Sequence, residues 1–162
     1  MSVNVNSSMA CTVAEVLEAN PHSAVAGQRT VTHTAFNSSH ALSASTTPPV
    51  TKVAAFKAAL VAGAKTIDLT ALVGTNGATV DGTGLKVQVI KVKNLGTNPL
   101  TIAVGATNGY DLAGGAFSAQ LKAGMELMLF GNDQTPDVAS GEKTLDLTGT
   151  GTEESEWIVV LG

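Results

Sequence analysis

The stretch LKVQVIKVKNL, Leu85–Leu95, decides how the rest of this chain is read. Leu85, Val87 and Val89 share one side of an extended chain, since successive side chains of a strand point to opposite faces. The apolar phase then switches to Ile90 and Val92. A period of two that changes phase in mid-run predicts a β-bulge, or a strand that bends between two sheets.

On either side of this strand the same grammar repeats. Asn76-Gly77, Asp81-Gly82, Asn94–Pro99, Asn108-Gly109 and Lys122-Ala123-Gly124 are turn signals. Between them lie short apolar alternations: Lys65–Thr70, Leu100–Val104, Phe117–Leu121, Met125–Phe130, Thr144–Leu147 and Trp157–Leu161. Gly131–Gly141 reads as a loop with room for one short strand. Lys52–Ala62 has helical composition but also alternates, with Ala54, Phe56, Ala58 and Leu60 on one side; it is read as the first arm of a β-hairpin that returns through Gly63-Ala64. About eight short strands separated by regular turns are the signature of an antiparallel sandwich or barrel. The expected fold is all-β, a jelly-roll-like antiparallel β-sandwich over residues 52–162, preceded by an extended N-terminal arm, residues 1–51.

The arm differs in composition. Its only charged residues are Glu15, Glu18 and Arg29, and it is rich in Ser, Thr, Ala and Asn. Thr12–Asn20 is predicted as a short helix: Thr12 caps it, Glu15 stands at capping-box spacing, Val13, Val16 and Leu17 share a face, and Pro21 ends it. Arg29–Phe36 reads as an edge strand or extended arm and Asn37–Pro49 as loop or arm. Nothing in residues 1–51 is expected to bury a core of its own.

Charge and composition exclude several functions. Only 14% of residues are charged, against roughly 25% in an average soluble protein. Net charge is −4 and no basic cluster occurs, so direct nucleic-acid binding is not expected, because neutralising phosphates needs clustered cations. A weakly charged surface fits a protein that neighbours cover. The single cysteine, Cys11, has no intrachain partner for a disulfide. No secretory signal and no membrane-spanning run are read in the chain, and synthesis in a cytoplasm is expected.

Each candidate for chemistry has a plainer explanation. His22, His33 and His40 match no metal spacing and no catalytic constellation. Asn132, Asp133 and Asp137 can offer oxygens to calcium, but their spacing departs from the calcium loop and suits turn formation. Glu153, Glu154 and Glu156 read as a solvated acidic loop. Gly82-Thr83-Gly84 and Gly149-Thr150-Gly151 lack the third glycine and helix of a phosphate cradle. Trp157 and Tyr110 can form a sugar-stacking platform, yet Trp157 opens the apolar run Trp-Ile-Val-Val-Leu and reads as core. KTIDLT (65–70) echoes KTLDLT (143–148), read as two similar half-buried strands. No catalytic, cofactor-binding or metal-binding residue is assigned, no cofactor is expected, and the chain is not expected to be an enzyme.

Four phrases carry a resemblance: KTIDLTALVGTNGATVDGTGLKVQVIKVKN (65–94), NPLTIAVGATNGYDL (98–112), LKAGMELMLFG (121–131) and IVVLG (158–162). In rhythm and wording this part of the chain resembles small structural proteins of tailed bacteriophages, of the head decoration or cement kind. The resemblance leaves residues 1–51 unexplained and brings no active-site residues. It implies a virion protein on the capsid exterior, often a trimeric jelly roll, whose partners are the major capsid protein or other virion proteins. A carbohydrate- or receptor-binding β-sandwich module, and a tail or head-fibre component, are the alternative expectations.

Overall fold

A computed structural model describes residues 4–10, 12–17, 29–33 and 38–162. They group into two compact units, Val5–Leu42 and Ser43–Gly162, with Asn4 assigned to the second.

In the first unit, β1 (Asn4–Met9) pairs with β4 (Ser38–Ser43), and β2 (Val13–Leu17) pairs antiparallel with β3 (Arg29–His33). The helix predicted over Thr12–Asn20 is therefore incorrect across Val13–Leu17, which is a strand; Glu18–Asn20 and Pro21 lie outside the described residues. A helix of this length carries an uncompensated nucleation cost. A ladder against Thr30, Val31 and Thr32, facing Val16, Glu15 and Ala14, suits β-branched residues better. Ser38–Ser43, within the segment read as loop or arm, is also a strand.

The second unit is the all-β, antiparallel sandwich that the turn rhythm predicts. Its strands are β5 (Lys52–Ala59), β6 (Ala64–Asp68), β7 (Leu72–Val73), β8 (Thr79–Val80), β9 (Val87–Asn94), β10 (Leu100–Val104), β11 (Ser118–Leu121), β12 (Glu126–Phe130), β13 (Thr144–Thr148) and β14 (Glu154–Leu161). One sheet runs β12-β9-β14-β5 and the other β11-β10-β13-β6, while β7 and β8 form a small hairpin. Every pairing in the two four-stranded sheets is antiparallel. Ser43–Thr51, on the leader side of the sequence boundary, are bonded to this unit: Thr51 N–H donates to Leu161 O (2.9 Å), and Gln88 Nε2 donates to Pro48 O (3.0 Å).

Inward side chains from both sheets build one core. Ala54, Ile90, Val92, Trp157, Val159 and Leu161 come from the first sheet, and Ile67, Leu100, Ile102, Leu121, Leu145 and Leu147 from the second. Trp157 is fully buried, stacks on Phe56 directly opposite it on β5 (centroids 5.9 Å apart), and donates its indole N–H to Ser155 Oγ at 2.8 Å.

The phase change in Leu85–Leu95 is a bulge. Val160 pairs with Val89, but Leu161 pairs with Val87, so Gln88 is skipped. Its carbonyl instead accepts N–H groups of Gly131 (2.9 Å) and Asn132 (3.1 Å), and Thr135 Oγ1 donates to Val87 O (3.0 Å). Val87 thereby joins Ile90 and Val92 on the inner face, while Val89 pairs with Val160 on the outer face, which corrects the expectation that Val87 and Val89 share one side.

The predicted hairpin of Lys52–Ala62 with Lys65–Thr70 is corrected. Both segments are strands, but β5 joins one sheet and β6 the other, so the connection is an arch between layers. Gly63 makes the arch possible: its φ is +83°, and a Cβ there would stand 2.7 Å from Gly149 O.

Candidate interaction surfaces

The outer face of β12-β9-β14-β5 carries an ordered charge ladder. Lys93 stands opposite both Glu126 and Glu156 in register, and Glu156 opposite Lys57, so sign alternates across four strands. Glu126 bridges Lys91 (2.9 Å) and Lys93 (3.1 Å), and Lys57 reaches Glu154 at 3.5 Å. Hydrogen bonds from Lys91 and Lys93 hold the Glu126 carboxyl below its usual range. Glu154 and Glu156 are thus strand residues of this ladder, and Glu153 is a staple: it accepts hydrogen bonds from Asn98 Nδ2 and Thr97 N–H, which lower its pKa, the Asn98 bond most. The loop reading is corrected for Glu154 and Glu156, whose sequence run hides the cross-strand partners; Glu153 stands in the loop before β14.

The outer face of β11-β10-β13-β6 is built differently. Thr101 stands between Gln120 and Thr148, and Ala103 between Ser118 and Asp146, with Thr66 beyond Asp146. All alternate with core leucines and isoleucines, so they share the outward face. Asp146 is fully engaged, accepting from Thr66 Oγ1 (2.7 Å) and from Ala106 N–H (2.8 Å). The echo KTIDLT/KTLDLT is explained here: the two segments are adjacent strands, Ile67 opposite Leu145 and Thr66 opposite Asp146. At the margin of the face, burial raises the Asp68 pKa, but hydrogen bonds from Thr70 and Lys143 outweigh it and leave the group lowered.

These depressed carboxyls set a pH dependence. A carboxylate with a lower pKa folded than unfolded stabilises above its unfolded pKa, and that contribution is lost as pH falls through the folded value. Melting temperature should hold steady above about pH 5 and decline below about pH 4 as Asp68, Asp81, Glu126 and Glu153 protonate. A melting temperature that rises on acidification would contradict this.

Among the described residues, those considered for chemistry do not converge. His22 and Cys11 lie outside the described residues; His33 is in β3 and His40 is half-buried in β4. Among the described residues no group of three His, Cys, Asp or Glu side chains is placed to hold a metal. Lys86 Nζ stands 3.7 Å from Asp133 and 3.6 Å from Asp137, so an ammonium already occupies the charge-balancing position that the calcium reading required. Tyr110 is fully buried, its hydroxyl donating to Pro136 O (2.7 Å) and accepting from Val87 N–H (3.1 Å), and burial raises its pKa. With Trp157 buried as well, neither aromatic forms an exposed stacking platform. No helix among the described residues is long and apolar enough to cross a membrane.

No protein-family model matches this chain, and no curated protein or solved structure matches it either.

Proposed function

We propose that this chain is a structural virion protein that binds and stabilises a bacteriophage capsid from outside, as a decoration or cement protein. The observation that carries the reading is the contrast between the two outer sheet faces. One carries a row of alternating lysines and glutamates, Glu126-Lys93-Glu156-Lys57, beside outward rows in which Phe130, Val89, Val160 and Val53, and Met128, Ile158 and Ala55, are apolar. The other is made of Thr, Ser, Gln and Ala around one central carboxylate, Asp146, that is already bonded. Burying the second face strips one carboxylate of water, Asp146, and the hydrogen bonds it already takes from Thr66 and Ala106 offset part of that cost. The strand order supports a jelly roll: the first strand of the sandwich lies beside the last, and the second beside the last but one. Repeated over a symmetric shell, modest contacts become firm attachment through effective concentration, and a protein that binds only the assembled shell stabilises it by mass action.

Co-sedimentation of the purified chain with tailed-phage capsids, with copies counted per particle, tests the proposal. A copy number that follows the shell's symmetry units is expected. A few copies per particle would instead favour a tail, vertex or fibre position. A solitary subunit that ignores capsids would remove the proposal altogether.

A further inference from the structure

The arch between β5 and β6 closes on a two-residue turn with an unexpected residue in it. Val61 N–H donates to Ala64 O (2.9 Å) and Ala64 N–H to Val61 O (3.2 Å), so Ala62 and Gly63 are the two central residues. Both have positive φ, +53° at Ala62 and +83° at Gly63. Such turns favour Asn or Asp before the glycine, because a Cβ in the left-handed region is strained unless a short polar side chain bonds locally. Alanine makes no such bond. Ala62 is exposed, so packing gives no reason for a small apolar residue there. Strained positions of this sort gather at binding and switch sites.

Three further observations stand beside the strain. Val61 is 74% exposed, the highest value among the exposed large apolar side chains of the described residues. The turn is braced: Gly63 N–H donates to Gly151 O (2.8 Å), Gly149 N–H to Gly63 O (2.9 Å), and Leu60 N–H to Glu153 O (2.9 Å). Val61-Ala62 is thus a fixed apolar knob. Its surroundings are nearly uncharged. Glu154 pairs with Ala59, Ser155 with Asn94 and Glu126 with Lys93, so the loops 60–63, 95–99, 122–125 and 149–153 share one end of the sandwich. Two more exposed apolar side chains, Leu95 and Met125, stand in them. Their only charged residues are Lys122 and Glu153, and Glu153 is taken by Thr97 and Asn98. Ala64, next to the knob, ends the row Gln120-Thr101-Thr148-Ala64 of the face that the proposed function buries.

We infer that Val61-Ala62 is an anchor that seats in an uncharged, apolar recess of the capsid protein. A braced knob loses little freedom on docking. A recess without charge is the partner it fits, since neither side is then left with an unpaired ion. Because the knob adjoins the Thr101 row, one docking event covers both. Asparagine at position 62 would relax the turn but bury an amide without partners in that recess, and alanine avoids this. The anchor rests on the reading of the chain as a capsid-binding protein, and it names the chemistry of the surface that is bound.

The test measures melting temperature and capsid co-sedimentation for two variants of the full chain. Ala62→Asn should raise the melting temperature by about 2–4 °C and weaken capsid binding about tenfold. Val61→Thr keeps the β-branched shape, should leave the melting temperature within about 2 °C, and should also weaken binding about tenfold, because its hydroxyl enters the recess unpaired. Native-like capsid binding by both variants would overturn the anchor and leave the decoration role standing. A lower melting temperature for Ala62→Asn would overturn it too, since the turn would then carry no strain to explain. A native chain that ignores capsids removes the decoration role and the anchor together. Sedimentation velocity without capsids covers the other occupant: if Val61→Thr changes self-association and not capsid binding, the knob docks on a second copy and the capsid anchor is overturned.

Discussion

Trp157→Ala is expected to lower the stability of the sandwich by about 3–5 kcal/mol, the range for removing a buried large aromatic. The site offers little means of relaxing. Trp157 sits on β14, the strand bonded to both β9 and β5, facing Val92 on one side and Phe56 on the other. Truncation removes the ring stack on Phe56 and leaves a cavity between the two sheets. It also strips Ser155 Oγ of its indole donor, although that hydroxyl keeps its own bond to Ala58 O (3.2 Å). Against a domain stability of about 5–15 kcal/mol, such a loss brings the variant close to unfolding. Trp157→Phe is the milder probe: it keeps an aromatic ring and should cost about 1–2 kcal/mol, from lost volume and one lost hydrogen bond. Urea unfolding followed by circular dichroism gives both values, because the chain has a single tryptophan and the variants lose that fluorophore. A cost below about 1 kcal/mol for the alanine would mean that the ring is not the centre of the core.

That core position was legible in the sequence because Trp-Ile-Val-Val-Leu is an unbroken apolar run closing an alternating chain. The bulge was legible for a related reason. Backbone geometry ties face to parity, so the phase change demands a residue out of step; that residue is Gln88, which lies between Val87 and Val89 rather than after them, so the two valines read as sharing a side stand on opposite faces. Partner choice was not legible. Alternation states that Lys52–Ala59 and Ala64–Asp68 are strands, but a tight turn can close a hairpin or carry the chain across to the opposite sheet. The arch is decided by the close approach of Gly63 to Gly149, residues far apart in the sequence. The same limit applied to Val13–Leu17, where local spacing suits a helical face and only pairing with Arg29–His33 makes it a strand.

The candidate surface was hidden for the same reason. Composition shows that charges are few, not where they gather. Lys57, Lys91, Lys93, Glu126, Glu154 and Glu156 come from four separated segments, and only the registers of β12, β9, β14 and β5 assemble them into one ladder. Removing them to one face leaves the other nearly neutral. Glu153 reads as a solvated loop acid in sequence and Asp146 as one residue of a half-buried strand; both are structural, one holding the Thr97-Asn98 turn and the other holding Ala106 N–H and Thr66.

Thr101→Glu is expected to abolish capsid binding, weakening it by about 100-fold or more, while leaving the fold intact. Thr101 lies in the middle of the neutral face, with Gln120 on one neighbouring strand and Thr148 on the other. No cation stands beside it in register, so a carboxylate there has no partner when the face is covered. Stranding a charge in an interface costs several kcal/mol, and about 2.7 kcal/mol already corresponds to 100-fold. On the free subunit the same carboxylate stays hydrated, and stability should change by no more than about 1 kcal/mol, the span of strand propensities. Lys91→Gln on the ladder face is the matched control. It removes one of the two lysines on Glu126, costs about 0.2–1 kcal/mol of stability as an exposed ion pair, and should leave capsid binding unchanged. If Thr101→Glu bound capsids like the native chain and Lys91→Gln did not, the docking face would be the ladder, and neutrality would not mark the buried side of this protein.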